Sequence, residues 1–309
     1  MNPDETFQAY RPLLFSIAYK MLGSAMDADD CLQDAYLRWH QRLEQGEVIR
    51  SPKTYLSTIV THLCMDQLHS ARNRREAYVG IWLPEPLLLT SSNDLAETVA
   101  LSESLSIAFL FLLEHLSPVE RAVFLLRQVF DYEYAEIAAI VGKSEENCRQ
   151  IMRRARLHLN GRSPYHDVPL QQQKELTQSL LQACSSGDLD GLVSLLQADV
   201  VLHSDGGGKV SAARNPIYGA QKVARFLLGL MRKQHADFQG YITEVNGQAG
   251  IVVYHHNDPF LVMALDSAEG CIQQIDIIVN PDKLRSIPPQ SDFVAQKHIS
   301  MELSLHHEN

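Results

Sequence analysis

Residues 135–156, AEIAAIVGKSEENCRQIMRRAR, restrict the possible fold more than any other stretch. Ile137, Ile140 and Val141 recur at helical spacing. Gly142-Lys143-Ser144 breaks the pattern, and Cys148, Ile151, Met152 and Ala155 resume it on one face. Spacing of i, i+3, i+4, i+7 marks a buried helical stripe. Arg149, Gln150, Arg153 and Arg154 project elsewhere, with Arg156 at the end. Two short helices, a glycine turn and a basic second helix make a helix-turn-helix. Such a helix fits the major groove, where Arg and Gln read base edges and Arg holds phosphates. An ordinary helical hairpin with a solvated basic face would show the same periodicity.

A chain of 309 residues predicts two or three domains, each with its own core. Apolar residues at 45% and charged residues at 21% describe a soluble globular protein. No apolar run reaches membrane-spanning length, and MNPDETFQAY lacks the basic and apolar regions of a signal peptide. The expected location is therefore the cytoplasm, with no membrane partner. Cys31, Cys64, Cys148, Cys184 and Cys271 form no Cys-x-x-Cys pair, so neither a metal site nor a disulfide framework is expected. The net charge of −10 argues against indiscriminate coating of DNA. The first 165 residues carry 17 basic and 21 acidic side chains, the remainder 10 and 16. The basic residues of the first part cluster at 72–75 and 149–156. An acidic body with two basic patches suits a protein delivered to DNA by a larger partner.

Along the chain, residues 7–22 read as a helix with Leu14, Ile17, Ala18 and Met21 inward. Asp27 has the chemistry of an N-cap. A helix from Ala28 to Arg42 buries Ala28, Cys31, Leu32, Ala35, Tyr36 and Trp39, with Asp29, Asp30, Gln33, Asp34 and Arg38 outside. Those carboxylates fit a solvated face near a helix start, or a docking surface for a basic partner. Ser51-Pro52 opens a helix running to Arg75, with Leu56, Ile59, Val60 and Leu63 inside and Asp66, His69, Arg72, Arg74 and Arg75 at its polar end. Residues 77–105 form a linker in which the two prolines bracketing Glu85 exclude a helix. Its apolar Ile81, Trp82 and Leu83 predict that it docks on something. Helical pattern resumes at about Leu95, and Ser117-Pro118-Val119-Glu120 is a capping box.

DADDCLQDAYLRW, SPKTYLSTIVTHLCMDQLHSARNRR and LSPVERAVFLLRQVFDYEYAEIAAIVGKSEENCRQIMRRAR, in that order, resemble the sigma-70 superfamily. The resemblance is to the extracytoplasmic-function (ECF) class, which keeps regions 2 and 4. YVGIWLPEP resembles the linker of an ECF subgroup with a fused SnoaL-like domain. The implied fold is multidomain. Two all-α sigma domains, region 2 (1–76) and region 4 with the helix-turn-helix (106–164), precede an α+β SnoaL-like cone (168–285) and a loose polar tail (286–309). The resemblance implies that Asp29, Asp30, Gln33 and Asp34 bind the β′ clamp helices of core RNA polymerase. It places Asp66, His69, Arg72, Arg74 and Arg75 at the minus-ten promoter element. Asn147, Arg149, Gln150, Arg153 and Arg154 fall at the minus-thirty-five element. Residues 47–53 match the loop that captures an unstacked base, at a cost a shaped pocket must offset.

Residues 170–197 read as two helices, 220–233 as a third, and 200–203, 238–245, 250–255, 260–265 and 271–279 as strands, an α+β order. Asp205-Gly206-Gly207-Gly208-Lys209 lacks phosphate-loop spacing and reads as a turn. The subgroup resemblance adds regulatory contacts to the sigma domains or linker from these five residues, from Asn280, Pro281 and Asp282, and from Trp82, Leu83 and Pro84. A helix within 293–305 is a further expectation. His203, Asp205, His255, His256 and Asp258 are candidates for the mouth of the cone, where a buried carboxylate could move protons. The alternative is that they are ordinary strand and loop residues. The adjacent His255-His256 pair should point to opposite faces of a strand and bind no metal. The expected function is a sigma factor with a fused regulatory domain, its partners core polymerase, promoter DNA and a small molecule in the cone, with no cofactor. Competing readings are a stand-alone ligand-sensing helix-turn-helix regulator and an enzyme fused to a DNA-binding module.

Overall fold

The computed structural model describes residues 3–46, 48–75, 78–88, 105–159, 168–232, 237–297 and 303–304, without the side chains of 71–75, 295–297 and 303–304. The chain divides into two compact units. The first contains residues up to 77 and the segment 109–164; the second contains 78–94, 102–108 and everything from 165 onward.

In the first unit, α1 (Pro3–Leu22), α2 (Ala25–Glu44) and α3 (Pro52–Arg75) pack on one another. The stripes expected from the sequence face inward: Leu14, Ile17, Ala18 and Met21 meet Ala28, Cys31, Leu32, Ala35, Trp39, Leu56, Val60 and Cys64. Ser24 caps α2, its hydroxyl accepting from the Asp27 N–H at 3.2 Å, so Asp27 is the third residue of the helix rather than its cap. Ser24 is the better placed of the two because Gly23, in left-handed geometry, turns the chain immediately before it. Tyr36, Ile59 and Leu63 are half-buried rather than inside. The Tyr36 hydroxyl reaches Asp4 at 2.8 Å.

A short α4 (Ile107–Leu112) and a 3₁₀ turn (Leu113–His115) lead into α5 (Pro118–Gln128). The expected helical onset at Leu95 lies outside the described residues. The capping box forms as its sequence dictates: Ser117 and Glu120 exchange side-chain-to-backbone hydrogen bonds. The helix-turn-helix is α6 (Tyr134–Val141) and α7 (Glu145–His158). Gly142 closes α6 at φ +65°, a left-handed position favouring glycine, and Ser144 caps α7 by accepting from the Asn147 N–H.

In the second unit, α8 (Leu170–Ser186), α9 (Leu189–Leu195) and α10 (Ala220–Met231) pack on one face of a sheet. Its strands are β1 (Leu196–Asp205), β2 (Ile217–Tyr218), β3 (Phe238–Val245), β4 (Gln248–His255), β5 (Asp258–Ala268), β6 (Cys271–Ile278) and β7 (Leu303–Ser304). Among the described residues the order is β2-β1-β6-β5-β4-β3-β7. The β1–β6 pair is parallel and the others antiparallel. Register shifts in β1–β6, β4–β5 and β5–β6 bend the sheet around the helices, giving the curved α+β cone. Leu180, Leu192, Val223, Leu227, Ile251, Leu265, Ile275 and Ile277 form its core.

The C-terminal segment corrects the expectation of a loose tail. Residues Gln290–Lys297 form α11, and β7 adds to β3. Phe293 is fully buried, its ring 5.7 Å from those of Tyr241 and Tyr254. Phe293, the buried Ile287 and the bonds of Gln290 and Ser291 to Asn257 hold a polar stretch whose composition alone reads as solvated.

Candidate nucleic-acid interface and linker clasp

The inward stripe of α7 leaves Asn147, Arg149, Gln150, Arg153, Arg154 and Arg156 exposed on its remaining surface. Arg149 pairs with Glu145 at 3.1 Å and lies 4.8 Å above the Tyr134 ring. An exposed ion pair is worth about 0–1 kcal/mol, little to exchange for a phosphate or a base. On α3, Asp66 and His69 are exposed. The side chains of Arg72, Arg74 and Arg75 lie outside the described ones, as does Glu47.

Both helices belong to the same compact unit, and α6 packs on both α3 and α7. The α3–α6 seam carries polar bonds among buried side chains such as Val60, Ile137 and Ile140, and α5 packs on both α1 and α3 beside it. Ser57 Oγ and the Tyr132 hydroxyl share a hydrogen bond of 2.8 Å, Lys53 Nζ sits 4.6 Å above the Tyr132 ring, and His62 Nε2 bonds the Ile140 carbonyl at 2.7 Å. Beside the seam, Arg121 is buried. Its guanidinium donates twice to the Leu113 carbonyl, pairs with Glu114 at 2.7 Å and donates to the Met21 carbonyl of α1 at 2.7 Å. Burial lowers its pKa to about 9.

On α2, Asp30, Gln33 and Asp34 are exposed as expected. Asp29 lies beside them, its side chain about half exposed, and accepts from Arg11 of α1 at 3.1 Å.

In the second unit, the linker residues 78–88 lie against the cone through one buried carboxylate. Asp205 Oδ1 accepts from the Tyr78 hydroxyl at 2.6 Å and the Gly207 N–H at 2.9 Å. Its Oδ2 accepts from the Leu83 N–H at 2.9 Å and Lys283 Nζ at 2.7 Å. Lys283 also donates to the Leu83 carbonyl and lies 4.1 Å above the Trp82 ring. Asn280 Nδ2 donates to the Tyr78 oxygen at 2.9 Å. Burial, then the bond to Asp205, pushes the Tyr78 phenol well above its ordinary value. Gly207, at φ +62°, has no room for a side chain because a Cβ there would run into Asn280. Lys209 pairs with Asp282, holding that carboxyl below the usual range, and Arg285 joins Asp282 at 2.8 Å. Further along, Leu87 and Asn246 exchange two hydrogen bonds of 2.9 Å.

The Trp82–Pro84, Asp205–Lys209 and Asn280–Asp282 segments are thus brought together. Tyr78, Lys283 and Asn246 were missed as site residues. Tyr78 opens the YVGIWLPEP segment and Lys283 directly follows Asn280-Pro281-Asp282, so the resemblance of those motifs was the available signal. Asn246 precedes Gly247 and reads as a hairpin turn residue.

A cavity of about 420 Å³ opens in the cone, lined mainly by apolar side chains, with Phe226, Leu230, Phe238 and Phe260 on its wall and Ser204 and Ser211 as hydroxyls. Two of the expected mouth residues, His203 and Asp205, are elsewhere, whereas His255, His256 and Asp258 neighbour the lining residues Phe238, Pro259 and Phe260. Ser204 faces the cavity, so strand alternation sends His203 and Asp205 to the opposite face. His203 is buried there, 2.9 Å from Asp276, and Asp205 is occupied by the clasp. The expectation that His255 and His256 point apart also fails. His256 has φ +51° in the hairpin turn, which breaks strand alternation and lets the rings stack 4.2 Å apart.

A helical unit with an exposed basic recognition helix, joined to an α+β cone, defines a DNA-reading protein of the sigma-70 superfamily. Residues 6–74 match Sigma-70 region 2, and residues 106–159 match Sigma-70, region 4. The chain is 35% identical over 295 residues to the ECF RNA polymerase sigma factor SigJ of Mycobacterium tuberculosis, covering 91% of this chain and 93% of that protein. It is 30% identical over 281 residues to a probable ECF RNA polymerase sigma factor, SigI, of the same organism, covering 90% and 93%. The crystal structure of the M. tuberculosis SigJ superposes with a TM-score of 0.75 at 32% identity, covering 92% of this chain and 99% of that one. The chain belongs to the ECF RNA polymerase sigma factors, the subunits that bind core polymerase and direct promoter recognition. Among the described residues, no helix is long and apolar enough to cross a membrane.

Proposed function

We propose that this sigma factor rests in a closed form and must part region 2 from region 4 to read a promoter. The carrying observation is the α3–α6 seam. His62, one turn before Asp66 on α3, bonds the last turn of α6, and α6 packs on α7. The two promoter elements lie about 25 base pairs apart, or about 85 Å at 3.4 Å per pair. Helices touching through one intermediate helix do not span that distance, so a DNA-bound form needs the seam open.

In the open form Asp66, His69, Arg72, Arg74 and Arg75 meet the minus-ten element, and Asn147, Arg149, Gln150, Arg153 and Arg154 the minus-thirty-five element. Asp30, Gln33 and Asp34 offer carboxylates and an amide to the polymerase β′ clamp helices, and Arg11 must release Asp29 for it to join them. The protein acts in the cytoplasm, with polymerase.

The cone regulates through the linker rather than through catalysis. Asp205, the buried carboxylate best placed by sequence to serve as a base, already accepts four hydrogen bonds. A compact apolar molecule suits the cavity. Val210, Ala212, Pro281 and Leu284 line it and flank the clasp residues, so filling it bears on the linker.

Run-off transcription with purified core polymerase on promoters selected from random sequence tests this reading. The full-length chain should initiate, with Arg153→Ala plus Arg154→Ala inactive and Ser57→Ala plus His62→Ala more active. Failure of both the full-length and seam-weakened proteins at every promoter contradicts it.

A further inference from the structure

The hairpin between β4 and β5 turns through His256 and Asn257, at φ +51° and +79°. His255, the last residue of β4, pairs in register with Phe238 on one side and Asp258 on the other. Its imidazole is held between two rings, with Phe238 at 4.5 Å and 22° and His256 at 4.2 Å and 19°. Phe238 in turn packs edge-on against Phe260 at 4.9 Å. Asp237 immediately precedes β3 and brings its carboxylate to the same corner. One ligand atom each from Asp237, His255 and His256 lies within 4.8 Å of the others.

We propose that Asp237, His255 and His256 bind a divalent transition-metal ion of the zinc class. Two imidazole nitrogens and a carboxylate oxygen are the donors such borderline cations select, whereas magnesium and calcium take oxygen alone. Zinc bonds to nitrogen and oxygen are about 2.0–2.2 Å, so tetrahedral donors stand about 3.4 Å apart. Closing from the observed spread needs Asp237 and His256, both exposed, to turn toward His255, with the His256 ring leaving its stack so that both imidazole nitrogens face one ion, while Phe238 keeps its stack on His255. Three protein ligands leave at least one position for water or another donor, the pattern of an open site rather than a closed structural one. Phe238, Pro259 and Phe260, adjacent or nearly so to these ligands in sequence, line the cavity, so the ion sits at its rim.

The test is calorimetric titration of the chelator-stripped full-length protein with Zn²⁺ in a non-coordinating buffer, followed by Co²⁺ absorption spectroscopy. Wild type should bind one ion. His256→Ala and Asp237→Asn should each weaken binding about tenfold or more. His255→Phe, which keeps a ring in the stack and removes the nitrogens, should do the same with an unchanged melting temperature. His306→Ala plus His307→Ala, near the C-terminus, should bind as wild type does. The proposal is overturned if wild type takes up no ion to about 1 mM, if the three site variants match wild type, or if binding is lost in the His306/His307 variant instead.

Discussion

The seam between α3 and α6 and the clasp between the linker and the cone are made of opposite materials. The seam uses a serine, a tyrosine hydroxyl, a histidine and a helix-end carbonyl. Water can satisfy each of them once they part, and a neutral hydrogen bond nets about 0.5–1.5 kcal/mol. Arg121 fits the same pattern: Leu113 and Glu114, close to it in sequence, take most of its donors, and one bond crosses to Met21. The clasp uses a fully buried carboxylate facing a largely buried lysine. Opening it takes two donors from Asp205 and one acceptor from Lys283. On the proposed reading, the contact that opens on the promoter is held across the α3–α6 seam by neutral hydrogen bonds that water can replace. The contact that keeps the linker in place is built on a buried ion pair whose hydrogen bonds are made by the linker and the cone together.

The sharpest way to break that contrast is Asp205→Ala. Removing one member of a buried pair typically costs about 3–5 kcal/mol, so chemical denaturation should show a loss of that size and limited proteolysis should cut near Tyr78–Leu88. A loss under about 1 kcal/mol would make the clasp no stronger than an exposed pair. Next in size is the seam: Ser57→Ala with His62→Ala should destabilise the first unit by about 1–3 kcal/mol. Promoter binding with core polymerase should be tightened, and unchanged or weaker promoter binding would show that the seam does not hinder reading.

Alkali probes the clasp from another side. Tyr78 holds its proton more tightly folded than unfolded, so the unfolded state ionises first and stability falls as pH rises beyond about 10. Tyr78→Phe should flatten that limb in a denaturation series, leaving the share due to Tyr254, which burial also raises. The smallest effect is acidic. Lys209 lowers the Asp282 carboxyl, so its contribution is full above the unfolded value near 4 and fades as pH falls below it. Asp282→Asn should remove a small acid-side slope and leave the neutral-pH melting temperature nearly unchanged.

The two regions also differed in how far the sequence revealed them. The helix-turn-helix was legible almost residue by residue, because Ile137, Ile140, Cys148, Ile151 and Ala155 declare a helical face locally and Gly142 and Ser144 mark its turn. The capping box at Ser117 was equally plain. The bonds of the clasp that join the linker to the cone link residues 122 to 202 positions apart, such as Leu83 with Asp205 and Tyr78 with Asn280. No periodicity reports such pairs, and the motifs there came from resemblance alone. Phe293 was missed for the same reason, since its partners Tyr241 and Tyr254 lie on distant strands. The Arg11 partner of Asp29 was not legible, because helical spacing gives the face of α2 but not the neighbours that α1 brings to it. His255 and His256 misled because strand alternation was carried one residue into a turn.

The central claim is that regions 2 and 4 rest together and separate on the promoter. Spin labels at the exposed positions Gln8 and Leu157, with Cys271 replaced by serine, report the distance between α1 and the end of α7. Pulsed dipolar spectroscopy should give a short, narrow distribution for the free protein. In the complex with core polymerase and promoter DNA it should lengthen by several tens of ångströms, toward the roughly 85 Å between promoter elements. An identical distribution in the two states would contradict the closed resting form.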